Sequence, residues 1–600
     1  MRRALGRTAP LGAIVACLAA AAPAAASDFA VTRTNDPAPN GCRKADCSLR
    51  EAISAANSHP GPDRVLLKPG KTYTLQIPGP GEDLNATGDL DPTGPLTVES
   101  PGPKPATVDG GALDNVFSDF AGITVRRLVI RDAGPGGYGI VDRGPGSVRV
   151  IRSTLAGSGA ATINEYDAGS VFATRTTISK SVFGAITEYG GGNVTTTRTT
   201  IADPAYAAIT EFDAGEVKTE RTRILRPGYD GLTEFGTGSV TMTRTQIVKP
   251  GYAGITEFDA GDVRAQRTAV SDPSRDGVTE FSGGSVIFDR VQISSSGYSG
   301  VTQFPPGGLT GTQVKITGSG RDGLGDFGSK GLVLRDSLVA GSGYAGIYSS
   351  DDGGMRLDAV TVRGSDRSGV SFFGDGKGTV SGSTIAGNGS AISDGGGIYA
   401  GGKQLTVRDS TITANTVKGT GGGIYAAAPL TLVNDTIAGN RAGLDGGGVA
   451  ANAGKVRMNA VTVARNVADA DSSGTGTGGG IFIGASPATT FRVENSLIAL
   501  NSVNFAGALG PDCTTLGNPF DSRGHNLLTH KPGCTGFNGP VDLVRANPKI
   551  GQLAGNGGPT KTIALKAGSP AIGRAASSAP SRDQRGHRRD RDPDIGAFER

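Results

Sequence analysis

A five-residue phrase, Gly-Ile-Thr-Glu-Phe or a near variant, recurs between Gly139 and Phe373 and limits what this chain can fold into. Its apolar second position falls at Ile140, Ile163, Ile186, Ile209, Leu232, Ile255, Val278, Val301, Leu324, Ile347 and Val370, each step being 23 residues with no insertion. A fixed period of roughly 20–50 residues marks stacked repeats, each burying its apolar side against the next. Two further apolar columns keep the same step. One runs Val148, Val171, Val194, Val217, Val240, Val263, Val286, Leu309, Leu332; the other Leu155, Ile178, Ile201, Ile224, Ile247, Val270, Ile293, Ile316, Val339. Three short apolar segments per repeat predict three strands per coil, because none reaches the ~10–12 residues that a helix wants. Like strands then stack in parallel, about 4.8 Å apart. A chain that grows by adding coils needs no second core, even at 600 residues.

The pattern resembles the right-handed parallel β-helix of the pectate-lyase type, so the expected fold is an all-β, single-stranded parallel β-helix over residues 116–373. The 97 glycines and the absence of Trp agree with many strands and turns. Over 374–505 the period loosens and a Gly-Gly-Gly-Ile phrase takes over at Gly395, Gly421, Gly446 and Gly478, accompanied by Asn388, Asn415, Asn440, Asn466 and Asn501. This is similar to polymorphic outer-membrane-protein repeats, another β-helix form. One Asn per coil can stack into an amide ladder and tolerates left-handed backbone.

The ends differ in kind. Arg2, Arg3 and Arg7, the apolar run Leu11–Ala22 and Ala24-Ala25-Ala26 read as an export signal over 1–26, with a lipoprotein site at Cys17 as the alternative. Outside the signal stand Cys42, Cys47, Cys513 and Cys534. In an exported protein these two local pairs predict two disulfides. Ser48 and Glu51 have capping-box spacing, and Leu49, Ala52, Ile53 and Ala56 then share one helical face. Cys47-Ser48-Leu49-Arg50-Glu51-Ala52 matches the CSLREA motif of bacterial secreted β-helix proteins, which implies an N-terminal cap within 27–115. Asn547-Pro548, Gly557-Gly558-Pro559-Thr560, Ser569-Pro570-Ala571-Ile572-Gly573, Asp583-Gln584-Arg585-Gly586 and Asp594-Ile595-Gly596-Ala597-Phe598-Glu599 together resemble the choice-of-anchor Q domain, placed within 506–600. No anchor follows these segments, which favours release over attachment. No later apolar stretch is long enough to span a membrane. A net charge of +4 gives no case for nucleic acid, and the expected state is a monomer.

Chemistry is harder to read. An acidic column runs Asp142, Glu165, Glu188, Glu211, Glu234, Glu257, Glu280, then Gln303 and Asp326. Ten residues on, a basic column runs Arg152, Arg175, Arg198, Arg221, Arg244, Arg267, Arg290, then Gln313 and Asp336. Stacked like charges repel, so the expected role is a structural ladder in which the arginines pair with the acids. The sharper alternative is a glycosidase or lyase groove, with neighbouring carboxylates ~5–9 Å apart. Against it, the column is uniform, whereas acid and base need different environments. A calcium site at Asp351 and Asp352 is a weaker possibility, and no other cofactor is expected. Aromatic residues flank the acids. The row Tyr166, Tyr189, Phe212, Phe235, Phe258, Phe281, Phe304, Phe327 is expected to stack inside. The row Phe183, Tyr206, Tyr229, Tyr252, Tyr298, Tyr344 is expected on an exposed turn, where it could stack against a glycan. A Thr column, Thr187 to Thr302, is a narrow ice-binding candidate. The resulting expectation is an extracellular or cell-surface scaffold that binds a polysaccharide or surface partner, with a polysaccharide lyase or glycoside hydrolase as the alternative.

Overall fold

The computed structural model describes residues 25–600 except 329, 391–393 and 506–509. Cys17 and nearly all of the export signal lie outside the described residues. The chain winds into an all-β parallel solenoid of about 16 turns. A representative coil runs Ile163–Glu165 in sheet 1, Val171–Thr174 in sheet 2 and Thr177–Ser179 in sheet 3. Each strand pairs in parallel with its counterpart one coil on: Ile163 with Ile186, Val171 with Val194, Thr177 with Thr200. A column in the sequence is therefore a column in space. The three apolar columns line the interior with at most 1% exposure.

Each coil turns from sheet 2 to sheet 3 on one left-handed residue. Arg152, Arg175, Arg198, Arg221, Arg244, Arg267 and Arg290 hold this place with φ of 51–56°. Gln313, Asp336, Ala359, Asp409 and Asn434 hold it in later coils with φ of 49–56°.

The later coils add a fourth, two-residue strand, from Gly389–Ser390 to Ser502–Val503. Beside it the five asparagines form a buried ladder. The Asn415 amide nitrogen donates to Asn440 Oδ1 at 2.9 Å and to Ile385 O at 3.0 Å, and each coil repeats the pattern until Asn501 donates to Asp512. The third glycine of each Gly-Gly-Gly-Ile phrase makes room: a Cβ on Gly448 would sit 2.9 Å from the Asn466 amide nitrogen. Towards the N-terminus the column continues as Ser365, Ser342, Ser319 and Ser296, and Ser365 N donates to Asn388 Oδ1 at 3.0 Å.

The helix Leu49–Asn57 starts on Ser48 with both capping-box bonds made, and Leu49, Ala52, Ile53 and Ala56 are buried. Arg50 is fully buried too. It pairs with Asp36 at 3.0 Å and donates to the carbonyls of Thr87, Gly88 and Asp89, so the motif's arginine ties the cap to the first coils. Disulfides join Cys42 to Cys47 and Cys513 to Cys534. Residues 546–600 fold back along sheet 3 of the last coils. Ile550, Ile563, Leu565, Ile595 and Phe598 pack on Ala438, Ala464, Leu497 and Ala499. Gln584 accepts from Thr436 Oγ1 at 2.5 Å and donates to Ser410 O at 3.1 Å. Of the late basic cluster, Arg585 and Arg589 are paired internally, with Asp583 at 2.7 Å and Glu599 at 3.0 Å.

Candidate functional site

Sheet 1 and its two flanking turns form the candidate site. In each strand Ile points in, Thr out and Glu in, as strand alternation requires, and the Phe that follows points out. The acids are consequently interior. Glu165, Glu188, Glu211, Glu234, Glu257 and Glu280 have no exposed surface. One carboxyl oxygen of each caps the turn to sheet 2: Glu188 Oε1 accepts from Gly190 N and Gly192 N, both at 2.9 Å, and Glu257 Oε1 from Asp259 N and Gly261 N, both at 3.1 Å.

The expected pairing with arginine is not made. Arg175, Arg198, Arg221, Arg244, Arg267 and Arg290 stand exposed at the corner between sheets 2 and 3, and among the described residues no ion pair joins the columns. The ten-residue offset carries the chain through all of sheet 2, so the guanidinium emerges outside the coil. What relieves the acids is protons. Burial raises Glu165, Glu188, Glu211 and Glu280 to about 7 and Glu257 to about 8, and burial together with the carboxyls of Glu211 and Glu257 raises Glu234 to about 10. From Glu165 to Glu257 the second carboxyl oxygen is buried without a partner, a setting that disfavours the charged form. Gln303 ends the run by donating its amide to Glu280 Oε2. Asp326 is raised to about 8 by burial and by Asp351. Asp336 has no bearing on it, being at the outer corner.

Asp351 and Asp352 stand in different surroundings. Asp351 is buried and accepts from Gly331 N at 2.7 Å, whereas Asp352 is exposed.

The Phe row is external, contrary to the expectation of interior stacking, because it follows the inward Glu by one residue. Tyr166, Tyr189, Phe212, Phe235, Phe258 and Phe281 are each about two-fifths exposed. Their rings stack nearly parallel, with centroids 4.6–5.2 Å apart. Across the sheet, Tyr206, Tyr229 and Tyr252 form a second stack at 4.6–4.9 Å. Beyond Tyr252 the second row alternates with arginine: Arg321 lies over Tyr298 and Arg367 over Tyr344. Between the rows the outward Thr187, Thr210, Thr233, Thr256, Thr279 and Thr302 keep only 3–8% exposure, so they are the floor of a groove rather than an open threonine face.

The groove opens at its N-terminal end into a cleft of about 510 Å³ among Tyr138, Ala160, Asn164, Phe183, Thr187 and Tyr189. Ala160 occupies the ring column one coil before Phe183, so one face of that ring is left uncovered, and Phe183 is 60% exposed. Asn164 replaces Thr in the floor. Its amide nitrogen is buried without a partner. Sequence reading missed this end, although Asn164 and Ala160 both depart visibly from their columns.

A family model described as right handed beta helix region matches residues 138–293, 299–466 and 345–518, more than half of the chain. The chain belongs to that family. Among solved structures, this β-helix is similar to the catalytic unit of the thermostable GH87 alpha-1,3-glucanase from Streptomyces thermodiastaticus strain HF3-3, at 15% identity and a TM-score of 0.33. That match covers 62% of this chain and 66% of the glucanase unit, just under two thirds of its length. It is also similar to pectate lyase Pel9A (13% identity, TM-score 0.17, 96% of each chain) and to XylC in complex with xylose (9% identity, TM-score 0.25, 95% of this chain and 98% of that one). Comparison with curated proteins finds no match.

Proposed function

We propose that this β-helix is an exported scaffold that binds a polysaccharide in the groove along sheet 1 without cleaving it. The cleft at Phe183 and Asn164 carries the reading. It offers an uncovered ring face for the apolar side of a sugar and an unpartnered amide donor 2% exposed in its floor. Further along the groove the rings are turned towards one another. There the row of tyrosine hydroxyls supplies polar contacts to a chain lying along the axis. The acidic column takes no part, since its carboxyls are interior and held by backbone amides. The two disulfides fit an oxidising compartment outside the cytoplasm.

The test uses the purified, oxidised protein on a glycan array, with a reducing-end assay on every glycan that binds. Retention of one polysaccharide class, lost about tenfold or more in Phe183→Ala and in Asn164→Thr, supports the groove. Thr is the residue of the same column in the next coil, so the second variant keeps the fold. New reducing ends or unsaturated products from the wild-type protein would replace the scaffold reading with a hydrolase or lyase.

A further inference from the structure

The arginine column has no structural task left once its pairing with the acids is excluded. Seven guanidinium side chains, Arg152 to Arg290, stand exposed along one corner, one per coil and about 4.8 Å apart, over roughly 29 Å. Arg221 has Glu220 at 3.8 Å and Arg290 has Asp289 at 3.2 Å. Among the described residues Arg152, Arg175, Arg198, Arg244 and Arg267 form no ion pair. The other left-handed corner, between sheets 3 and 1, is managed differently. There Lys180, Asp203, Arg226, Lys249 and Asp272 mix signs down the column, and Arg226 clasps Asp203 with two bonds of 2.7 and 2.9 Å.

The backbone does not ask for arginine. Gln313, Asp336, Ala359, Asp409 and Asn434 adopt the same left-handed turn in the same column. Nor does packing, since the side chains are exposed. Stacking like charges at one-coil spacing works against folding, so a single-sign column that neither fold nor core requires points to an external counter-charge. The side chains frame two shallow grooves. One, of about 540 Å³, lies among Arg152, Arg175 and Arg198 beside Thr174 and Thr197; the other, of about 470 Å³, among Arg244, Arg267 and Arg290 beside Gln246 and Gln292.

We infer that this arginine corner is a binding site for a linear acidic polysaccharide, whose carboxylate or sulfate groups are taken up by successive guanidinium forks along the solenoid axis. Guanidinium suits such groups because it offers two parallel donors to one anion. Thr174, Thr197, Gln246 and Gln292 supply neutral donors and acceptors for the hydroxyls between them. No aromatic ring lines either groove, so the stacking platform that single-stranded nucleic acid needs is missing there. The corner is the one that does not adjoin sheet 1, and the inference is independent of the glycan groove proposed above.

The experiment compares the full oxidised protein with the variant R175Q/R198Q/R244Q/R267Q. Glutamine already occupies this column at Gln313, and the melting temperature checks that the variant is folded. Labelled heparin and polygalacturonate are the acidic probes, dextran the neutral control and an oligo-dT the nucleic-acid control. The expected result is binding of at least one acidic probe at low salt. Affinity falls about tenfold or more at moderate salt and by a further order of magnitude in the variant, with no binding of dextran. Phe183→Ala should leave intact the salt-sensitive part of this affinity that the arginine variant loses. Equal binding by wild type and variant, loss of acidic-probe binding in Phe183→Ala, oligo-dT binding as tightly as the acidic glycans, or no binding of either acidic probe would each overturn the inference.

Discussion

The acidic and basic columns run over the same coils, with the same step and nearly the same length, and they end in opposite environments. The glutamates are interior and shed charge by keeping protons; the arginines are exterior and keep their charge in water. Opposite signs at matching period do not make a pair. What decides is how many residues separate the columns and which way the strand faces at each. The interior column also shows how a buried acid is tolerated without a cation: one oxygen caps a turn, and burial favours the protonated form.

Placing a full charge in each column should break the comparison most sharply. Glu234→Lys buries an ammonium with no counter-ion and is expected to cost about 3–5 kcal/mol or more, while Arg221→Glu at the exposed corner should stay within ~0.5 kcal/mol. Denaturant unfolding of the two variants checks this, and equal losses would mean that the columns do communicate.

The asparagine ladder is the neutral counterpart of the acid ladder. Asn440→Ala leaves the backbone and side-chain amides of Asn415 without their acceptor and takes away the donor to Ile412 O, for an expected loss of about 1–3 kcal/mol.

The pH response sharpens the contrast further. The folded glutamates titrate near 7 to 10 against ~4.3 in an unfolded chain. Their protonated ladder therefore contributes fully below pH ~4.3, and that stability is lost progressively as the pH rises from there to the folded values of about 7 to 10. Melting temperature should fall over this range in the wild type. Glu211→Gln combined with Glu234→Gln, which imitates the Gln303–Glu280 contact, should flatten the fall and raise the melting temperature at pH 9. An unchanged slope would show that the column ionises without cost.

The smallest effect is expected at the corner. Arg244→Asn puts a residue that the column already uses at Asn434 into a left-handed turn, and should leave stability unchanged or raise it by up to ~0.5 kcal/mol. A loss would give the arginine a structural role after all.

Much of the architecture was legible. The 23-residue columns of Ile140, Val148 and Leu155 predicted three parallel strands per coil, and the capping box at Ser48 and Glu51 predicted the helix Leu49–Asn57. The site was less so. Phe212 was expected inside and Glu211 beside an arginine, although alternation along Ile209-Thr210-Glu211-Phe212 already assigns Glu inward and Phe outward. Burying an acid is so costly in isolation that the alternation rule lost to it. The cost is lowered by turn amides two and four residues on in the same coil and by keeping the proton, and the burial that favours the proton is completed by the neighbouring coils.

By itself, then, the sequence determined period, strand count, parallel stacking and the cysteine pairs, because a solenoid repeats its local rules in register. Only the tertiary structure decided that the Thr floor lies hidden between two aromatic rows, and that residues 546–600 lie along sheet 3 instead of adding another coil. Those outcomes depend on what one coil places against another, and no single repeat contains that information.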